Sequence, residues 1–275
     1  MNYRTVSNHK SNAVGQAASA APEPADALIR INKYLSAHCG VSRRAADTLI
    51  NQGRVTVNGS IAQPGLKVSS SDTILLDQQV IAAEPAAPVY LALNKPRGII
   101  CTTDRRVNDN ISDFLDYPER IYPIGRLDRD SEGLLLLTND GSIVNQILRA
   151  RFMHEKEYEV TVQESITPAF IKSMRQPVPI LGTLTQAAKV RQIDEHRFRI
   201  ILTQGLNRQI RRMCEYFQYH VCELRRLRIM NITLGTLKPG QWRYLSHKEL
   251  QQLDDLLQRS LKDQGRDLEV NQYDE

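Results

Sequence analysis

Seven residues, Ala82-Ala-Glu-Pro-Ala-Ala-Pro88, have the composition of a linker and divide the chain into two unequal folding units. The shorter unit, residues 28–81, carries enough apolar positions to fold on its own, though marginally. The longer one, residues 89–261, has length for a sizeable core. Of the 275 residues, 41% are hydrophobic and 24% charged, which is a globular balance. No apolar run approaches the roughly 18 residues of a membrane span, so no membrane partner is expected. The first residues lack the apolar core of a secretory signal, which fits a cytoplasmic protein. Residues 1–27 are rich in Ala, Ser, Asn, Gln and Pro and read as a disordered leader, and residues 262–275 as a polar tail.

In the short unit, Leu28, Ile31 and Leu35 fall at helical spacing. Ser42 reads as the cap of a second helix with Ala45, Ala46, Leu49 and Ile50 on one face, and Gly53 suits its end. Arg54-Val-Thr-Val-Asn58-Gly59 alternates as a strand and runs into an Asn-Gly hairpin turn, and Ile74 to Leu76 supply a further strand. In the long unit, Tyr90–Leu93, Tyr158–Val162, Phe198–Leu202 and Leu227–Leu234 read as strands. Ile143, Val144, Ile147 and Leu148 mark one helix, and Thr167 with Pro168 behind it starts another. Ser246-His-Lys-Glu249 is a capping box for a last helix burying Leu250, Leu253, Leu257 and Leu261. Strands and helices do not alternate strictly, so the expected fold class is α+β with a largely antiparallel sheet.

The cysteines, Cys39, Cys101, Cys214 and Cys222, form no C-x-x-C pair and are spread along the chain. They read as buried reduced thiols rather than a zinc site or a disulfide framework. The net charge of +5 points weakly to an anionic partner, and its distribution says more. Arg43 and Arg44 fall in the first turn of the Ser42 helix, where a cation opposes the helix dipole at a cost of roughly 0.3–1 kcal/mol each. A phosphate near that helix start would accept backbone N–H groups and neutralise both arginines, with Lys33 and Arg54 extending the patch. Charge alone fits a solvated basic face equally well. The order Arg30-Ile-Asn-Lys33-Tyr-Leu35, then Ser42-Arg43-Arg44-Ala45-Ala46, then Gly53-Arg-Val55-Thr-Val57-Asn58-Gly59 resembles the S4 RNA-binding domain. That resemblance implies a helical pair packed on a small hairpin unit, with structured RNA as the partner.

The most informative stretch is Pro123-Ile-Gly125-Arg126-Leu127-Asp128-Arg129-Asp130-Ser131-Glu132-Gly133 with the four leucines 134–137 and Thr138-Asn139-Asp140-Gly141 behind it. A glycine-bounded loop presents Asp128 between two arginines, the leucines read as a buried strand, and Asn-Asp-Gly closes in a turn. A carboxylate kept ionised by guanidinium groups on a rigid strand edge serves as a nucleophile or a general base. A plain loop ion pair fits the same residues. The stretch resembles the catalytic motif of pseudouridine synthases of the small-subunit type, G-R-L-D-x-x-S-x-G-L-L-L-L-T-x-D-G, and every fixed position is met. Further matches follow in the family's order: Asn94-Lys95-Pro96-x-Gly98, Lys156-x-Tyr158-x-Val160, and Gly205-x-x-Arg208-Gln209-Ile210-Arg211-Arg212-Met213. His154 to Tyr158, Gly205-Leu-Asn-Arg208 and Arg228-Ile-Met-Asn231 resemble one branch most, which modifies the peptidyl-transferase region of 23S rRNA.

The resemblance implies a two-lobed catalytic domain, Asp128 as the residue that initiates an isomerisation of uridine, Arg211 as its ionic partner, and no cofactor or metal. Tyr158 opens an alternating strand; it is an ordinary strand aromatic or a ring stacked on a flipped uracil. Asn207 fits an N-cap for a helix from Arg208 to Phe217, buried through Ile210, Met213 and Phe217. Arg208, Arg211 and Arg212 crowd its positive end, which anions from RNA or Asp128 would relieve. Lys95, Arg126, Lys156, Arg226 and Arg228 complete the basic groups expected at RNA. The expected partners are 23S rRNA or its assembly intermediates, with a tRNA as a second substrate, met by a monomer. Two other readings stand beside this one: a synthase acting on 16S rRNA, and a non-catalytic S4-type assembly factor.

Overall fold

A computed structural model describes residues 28–82, 87–149 and 152–270, the last eight of these in backbone only. The leader expected over residues 1–27 lies outside them. In the small domain, β1 (Ile29–Arg30) leads into α1 (Ile31–His38) and α2 (Arg43–Asn51). β2 (Val55–Val57), β3 (Ser60–Ile61), β4 (Lys67–Val68), β5 (Ile74–Leu76) and β6 (Gln79–Val80) follow. β2 and β3 join through Asn58 and Gly59, both at positive φ as a two-residue hairpin turn needs. Ile31, Leu35, Ala46, Ile50, Val55, Val68 and Ile74 form its core. Leu28 precedes α1 and is exposed, and Ala45 points outward from α2, so each apolar face is one residue narrower than its spacing implies.

The large domain is built on one continuous sheet. Its elements are β7 (Tyr90–Lys95), α3 (Ile111–Leu115), β8 (Tyr122–Ile124), β9 (Glu132–Thr138), α4 (Gly141–Leu148), β10 (Lys156–Val162) and α5 (Pro168–Met174). β11 (Pro179–Ile180), β12 (Thr183–Leu184), β13 (Lys189–Gln192), β14 (Arg197–Leu202), α6 (Gln209–Tyr216), β15 (Val221–Ile229), β16 (Ile232–Thr233), β17 (Trp242–Tyr244) and α7 (His247–Val270) complete it. The sheet order is β13-β14-β10-β15-β9-β7-β17, with β8 beside β9 and β16 beside β15. Every strand pairing in it is antiparallel except β15 with β9. The stretch read as one strand over Leu227–Leu234 is the end of β15, a two-residue turn at Met230 and Asn231, and β16; Met230 takes φ +51° there.

The four-leucine run is β9, and it is buried on both faces. Leu134 and Leu136 pack with Ile147, Leu253 and Leu257, while Leu135 and Leu137 pack with Ile111, Leu115 and Ile121. That double burial is why the run does not alternate with polar residues. On the other half of the sheet, Val160, Val162, Phe198 and Ile200 pack against Phe170 and Met174 of α5 and Ile210, Met213 and Cys214 of α6. These two halves are the two lobes. They meet where β15 runs parallel to β9 through only two residue pairs, Arg225 with Glu132 and Arg226 with Gly133. A Cβ on Gly133, whose φ is +104°, would overlap the Arg226 carbonyl oxygen and lie 2.6 Å from its nitrogen, so glycine alone permits this approach.

The capping box forms: Ser246 N donates to Glu249 Oε2 at 2.8 Å and Glu249 N to Ser246 Oγ at 3.3 Å. Leu253 and Leu257 are buried behind it, whereas Leu261 is exposed. The backbone of α7 stays helical to Val270, past residue 261, where the sequence reading ends the domain. Cys101 and Cys214 are buried free thiols; Cys39 is only half-buried and Cys222 is exposed, contrary to the uniform burial expected.

Candidate active site

Asp128 stands on the loop between β8 and β9, at the seam of the two lobes. The loop is closed by a turn in which Ser131 N donates to the Asp128 carbonyl at 3.1 Å. It opens into a cleft of about 660 Å³ lined by Arg97, Arg129, Asp130, Arg208, Arg211 and Cys222, with Asp128 itself among the lining residues. Four arginines therefore face two aspartates, a surplus of positive charge that suits an anionic substrate.

The start of α6 supplies two of those arginines. Arg208, not Asn207, is the capping residue; it adopts the left-handed conformation at φ +49° and makes no side-chain cap. Asn207 instead accepts from Arg212, whose Nε reaches the Asn207 carbonyl at 3.1 Å. Arg208 binds both oxygens of Asp130, at 3.1 and 3.2 Å, and its Nη1 lies 3.7 Å from Asp128 Oδ2. Arg211 is the more buried, with 13% of its side chain exposed. Its Nη1 donates to the Val221 carbonyl at 3.0 Å and its Nη2 to the Asp130 carbonyl at 3.2 Å, 3.3 Å from Asp130 Oδ2.

Arg208 is the arginine within 4 Å of Asp128, while Arg211 is bonded chiefly to Asp130 and also feels the charge of Asp128. Burial works against the charge on Asp130, but the Arg208 hydrogen bond and the charges of Arg211 and Arg208 outweigh it and hold that carboxyl below its ordinary range. Asp130 is the residue sequence reasoning missed: it orders both arginines, and the Asp-Arg-Asp spacing was its visible signal. Arg97 was missed as well. It occupies the variable position of Asn94-Lys95-Pro96-x-Gly98 and bridges the seam, 3.6 Å from Glu132 and 3.4 Å from Glu223.

Tyr158 lies one strand away from the cleft and is not among its lining residues. It sits on β10 across from Arg226, half-buried between the cores of the two lobes, at a bulge that follows Glu157.

Several basic residues expected at RNA are spent inside the protein. Lys95 is fully buried, its Nζ donating to the Pro96 carbonyl at 2.8 Å, and burial pulls its pKa down to about 8. Arg226 is buried, and Arg228 is held by Glu155 and Glu157 at 2.9 and 3.2 Å. Lys156 bonds the His154 carbonyl at 3.2 Å and is pulled down to about 8 by burial first and then by the charge of Arg226. In the small domain Arg54 is paired with Asp77 through two nitrogens. Arg126 is exposed on the Asp128 loop. Arg129 turns to Gly98 and Asp109, at 3.1 and 2.9 Å. Arg43 and Arg44 are exposed at the start of α2, where Ser42 Oγ accepts from Ala45 N at 3.0 Å as expected. Lys33, on α1, is half-buried. Among the described residues there is no group of three metal-ligating side chains, and no helix long and apolar enough to cross a membrane.

Comparison with known proteins places this geometry. Residues 29–74 match the S4 domain, and residues 89–216 match the RNA pseudouridylate synthase family. The chain is 50% identical over 236 residues to the dual-specificity RNA pseudouridine synthase RluF of Escherichia coli K12, an alignment covering 86% of this chain and 81% of that one. It is 35% identical to ribosomal large subunit pseudouridine synthase B of Bacillus subtilis, over 86% of this chain and 98% of the other. A crystal structure of a pseudouridylate synthase superposes with a TM-score of 0.60 at 28% identity, over 82% of this chain and 99% of that one. With its S4 domain, its antiparallel two-lobed sheet and an Asp128 loop at the seam, the chain belongs to the RNA pseudouridine synthases.

Proposed function

We propose that this synthase isomerises a specific uridine of 23S rRNA, in the peptidyl-transferase region, and that Asp128 initiates the reaction. The observation that carries the assignment is the position of Asp128: a carboxylate at the lobe seam, 3.7 Å from Arg208, in a cleft with a surplus of arginine. In the isomerisation the C1′–N1 bond breaks, the uracil turns, and a C1′–C5 bond forms. C5 gives up a proton and N1 gains one, so the reaction needs no external reactant. A uridine in structured rRNA must leave its stack to reach the cleft, and stacking on Tyr158 would return roughly 1–3 kcal/mol of that cost. Arg208 lies beside Asp128, and Arg211 sets Asp130 and through it the loop.

The large-subunit assignment rests on the resemblance to the 23S branch, and the ribosomal-large-subunit enzyme of B. subtilis supports it. A tRNA as second substrate follows the same resemblance and agrees with the dual specificity in the name of the E. coli relative. The enzyme acts in the cytoplasm as a monomer in this reading.

The test uses 23S rRNA from a strain lacking the enzyme, incubated with purified protein and read by carbodiimide-stop primer extension. The parent should introduce one stop in the peptidyl-transferase region. Asp128→Asn should introduce none while keeping RNA affinity, a rate loss beyond roughly a thousandfold. An active Asp128→Asn removes Asp128 from the chemistry. A stop in 16S rRNA instead of 23S changes the substrate.

A further inference from the structure

We infer that Arg226 is a positioning residue that holds the Asp128 loop in place from the opposite lobe, through two backbone carbonyls. The inference rests on the assignment of Asp128 made above. Arg226 is only 3% exposed, so RNA does not reach it. Its Nε donates to the Leu134 carbonyl at 2.7 Å and its Nη1 to the Arg126 carbonyl at 3.4 Å. Arg126 precedes Asp128 on the loop and Leu134 follows it in β9, so the two carbonyls bracket the catalytic residue. One planar guanidinium, rooted in β15, thereby ties both ends of the loop to a single rigid point. The backbone makes the same junction, because Arg226 pairs with Gly133 and the absent Cβ of Gly133 lets the strands close.

Stability does not explain this guanidinium. Among the described residues Arg226 bonds no carboxylate, and its Nη2 is buried without a partner. Its neighbours include two cations, Lys95 and Lys156, each made a weaker base by burial and by Arg226. Buried ionic groups exchanged for apolar residues of similar volume are often neutral or stabilising replacements. A buried guanidinium whose two bonded nitrogens go to the carbonyls on either side of Asp128 is accounted for by the loop it fixes.

The experiment compares the full-length parent, Arg226→Met and Arg226→Lys, with Asp128→Asn alongside, by melting temperature, RNA affinity and single-turnover rate on rRNA. Arg226→Met should melt at or above the parent and bind RNA with parental affinity. Its rate should fall roughly a hundredfold, the scale of a displacement of about 1 Å at a reacting group. Arg226→Lys, which reaches one carbonyl, should fall between. A folded Arg226→Met with parental rate overturns the inference, and so does one whose rate and melting temperature fall together. If Arg226→Met does not fold, Arg226→Lys decides: slow turnover at parental melting temperature supports the inference, and any other result overturns it. Loss of activity in Asp128→Asn with a normal Arg226→Met overturns only the positioning role. An active Asp128→Asn overturns the catalytic assignment itself.

Discussion

At the start of α6, Arg208 and Arg211 meet a resident carboxylate, Asp130, whereas at the start of α2, Arg43 and Arg44 stand exposed with no acidic residue in their turn. Both helices place like charges at the positive end of a dipole, an unfavourable arrangement by itself. In α6 the cost is offset inside the protein, and the gain is geometry: Asp130 fixes two guanidinium groups beside Asp128 before any RNA arrives. In α2 the first turn supplies no such offset. The same residue type thus organises a site in one domain and stands exposed in the other, where the expected partner is RNA phosphate.

The largest effect on this contrast should come from Gly133→Ala. The new Cβ would collide with the Arg226 backbone at a φ of +104°, and the seam that supports α6 and the Asp128 loop would open. A destabilisation of about 3 kcal/mol or more is expected, with no detectable pseudouridine. Urea denaturation checks the first and primer extension the second. A stable, active Gly133→Ala would mean that the two lobes do not depend on this close approach.

Next come the two α6 arginines, which the structure separates. Arg211→Ala strips a mostly buried guanidinium from the Val221 carbonyl and Asp130, so melting temperature and rate should both drop. Arg208→Ala removes the exposed partner of Asp128, so the rate should fall by about a hundredfold with the melting temperature nearly unchanged. Equal stability loss in both variants would dissolve the distinction drawn between them.

Much of this architecture was legible in the chain. The double-sided burial of Leu134 to Leu137 follows from an uninterrupted apolar run, the Asn58-Gly59 hairpin from its turn residues, and the Ser246–Glu249 capping box from spacing. Local chemistry decides each of these. What stayed hidden was the partner of each cation. Lys95, Arg226 and Arg228 read as RNA-binding groups because sequence displays charge and not its acceptor. The acceptors, the carbonyls of Pro96 and Leu134 and the carboxylates of Glu155 and Glu157, arrive through tertiary pairing. The same blindness left Asp130 out of the site, because its pairing with Arg208 and Arg211 arises only when α6 is packed against the Asp128 loop.

A smaller effect is expected at α2. Arg43→Glu with Arg44→Glu should weaken rRNA binding and lower the salt slope of log affinity by about 0.7–0.9 for each phosphate that the protein no longer neutralises. Turnover at saturating enzyme on a short RNA should persist, since Asp128 is untouched. Parental affinity and salt slope would make these arginines a solvated face and end the contrast with α6.

The smallest effect, and the sharpest internal control, concerns Arg54. It lies in the small domain near the α2 patch in sequence, yet it already has the α6 type of partner: Asp77, held by two nitrogens and in turn kept below its ordinary carboxyl range by that hydrogen bond. If a resident carboxylate is what divides organising arginines from RNA-binding ones, Arg54→Ala should change affinity far less than either substitution at Arg43 or Arg44. The pair is about half exposed, so its removal should leave the melting temperature where it was. Asp77→Asn then supplies the converse. Freed of its carboxylate, Arg54 becomes an α2-type cation, and rRNA affinity should rise modestly with a steeper salt slope if it faces the RNA. Filter binding over a salt series measures both. An Arg54→Ala as weak as the α2 variants would show that phosphate displaces Asp77, and that a protein carboxylate on this surface is no barrier to RNA.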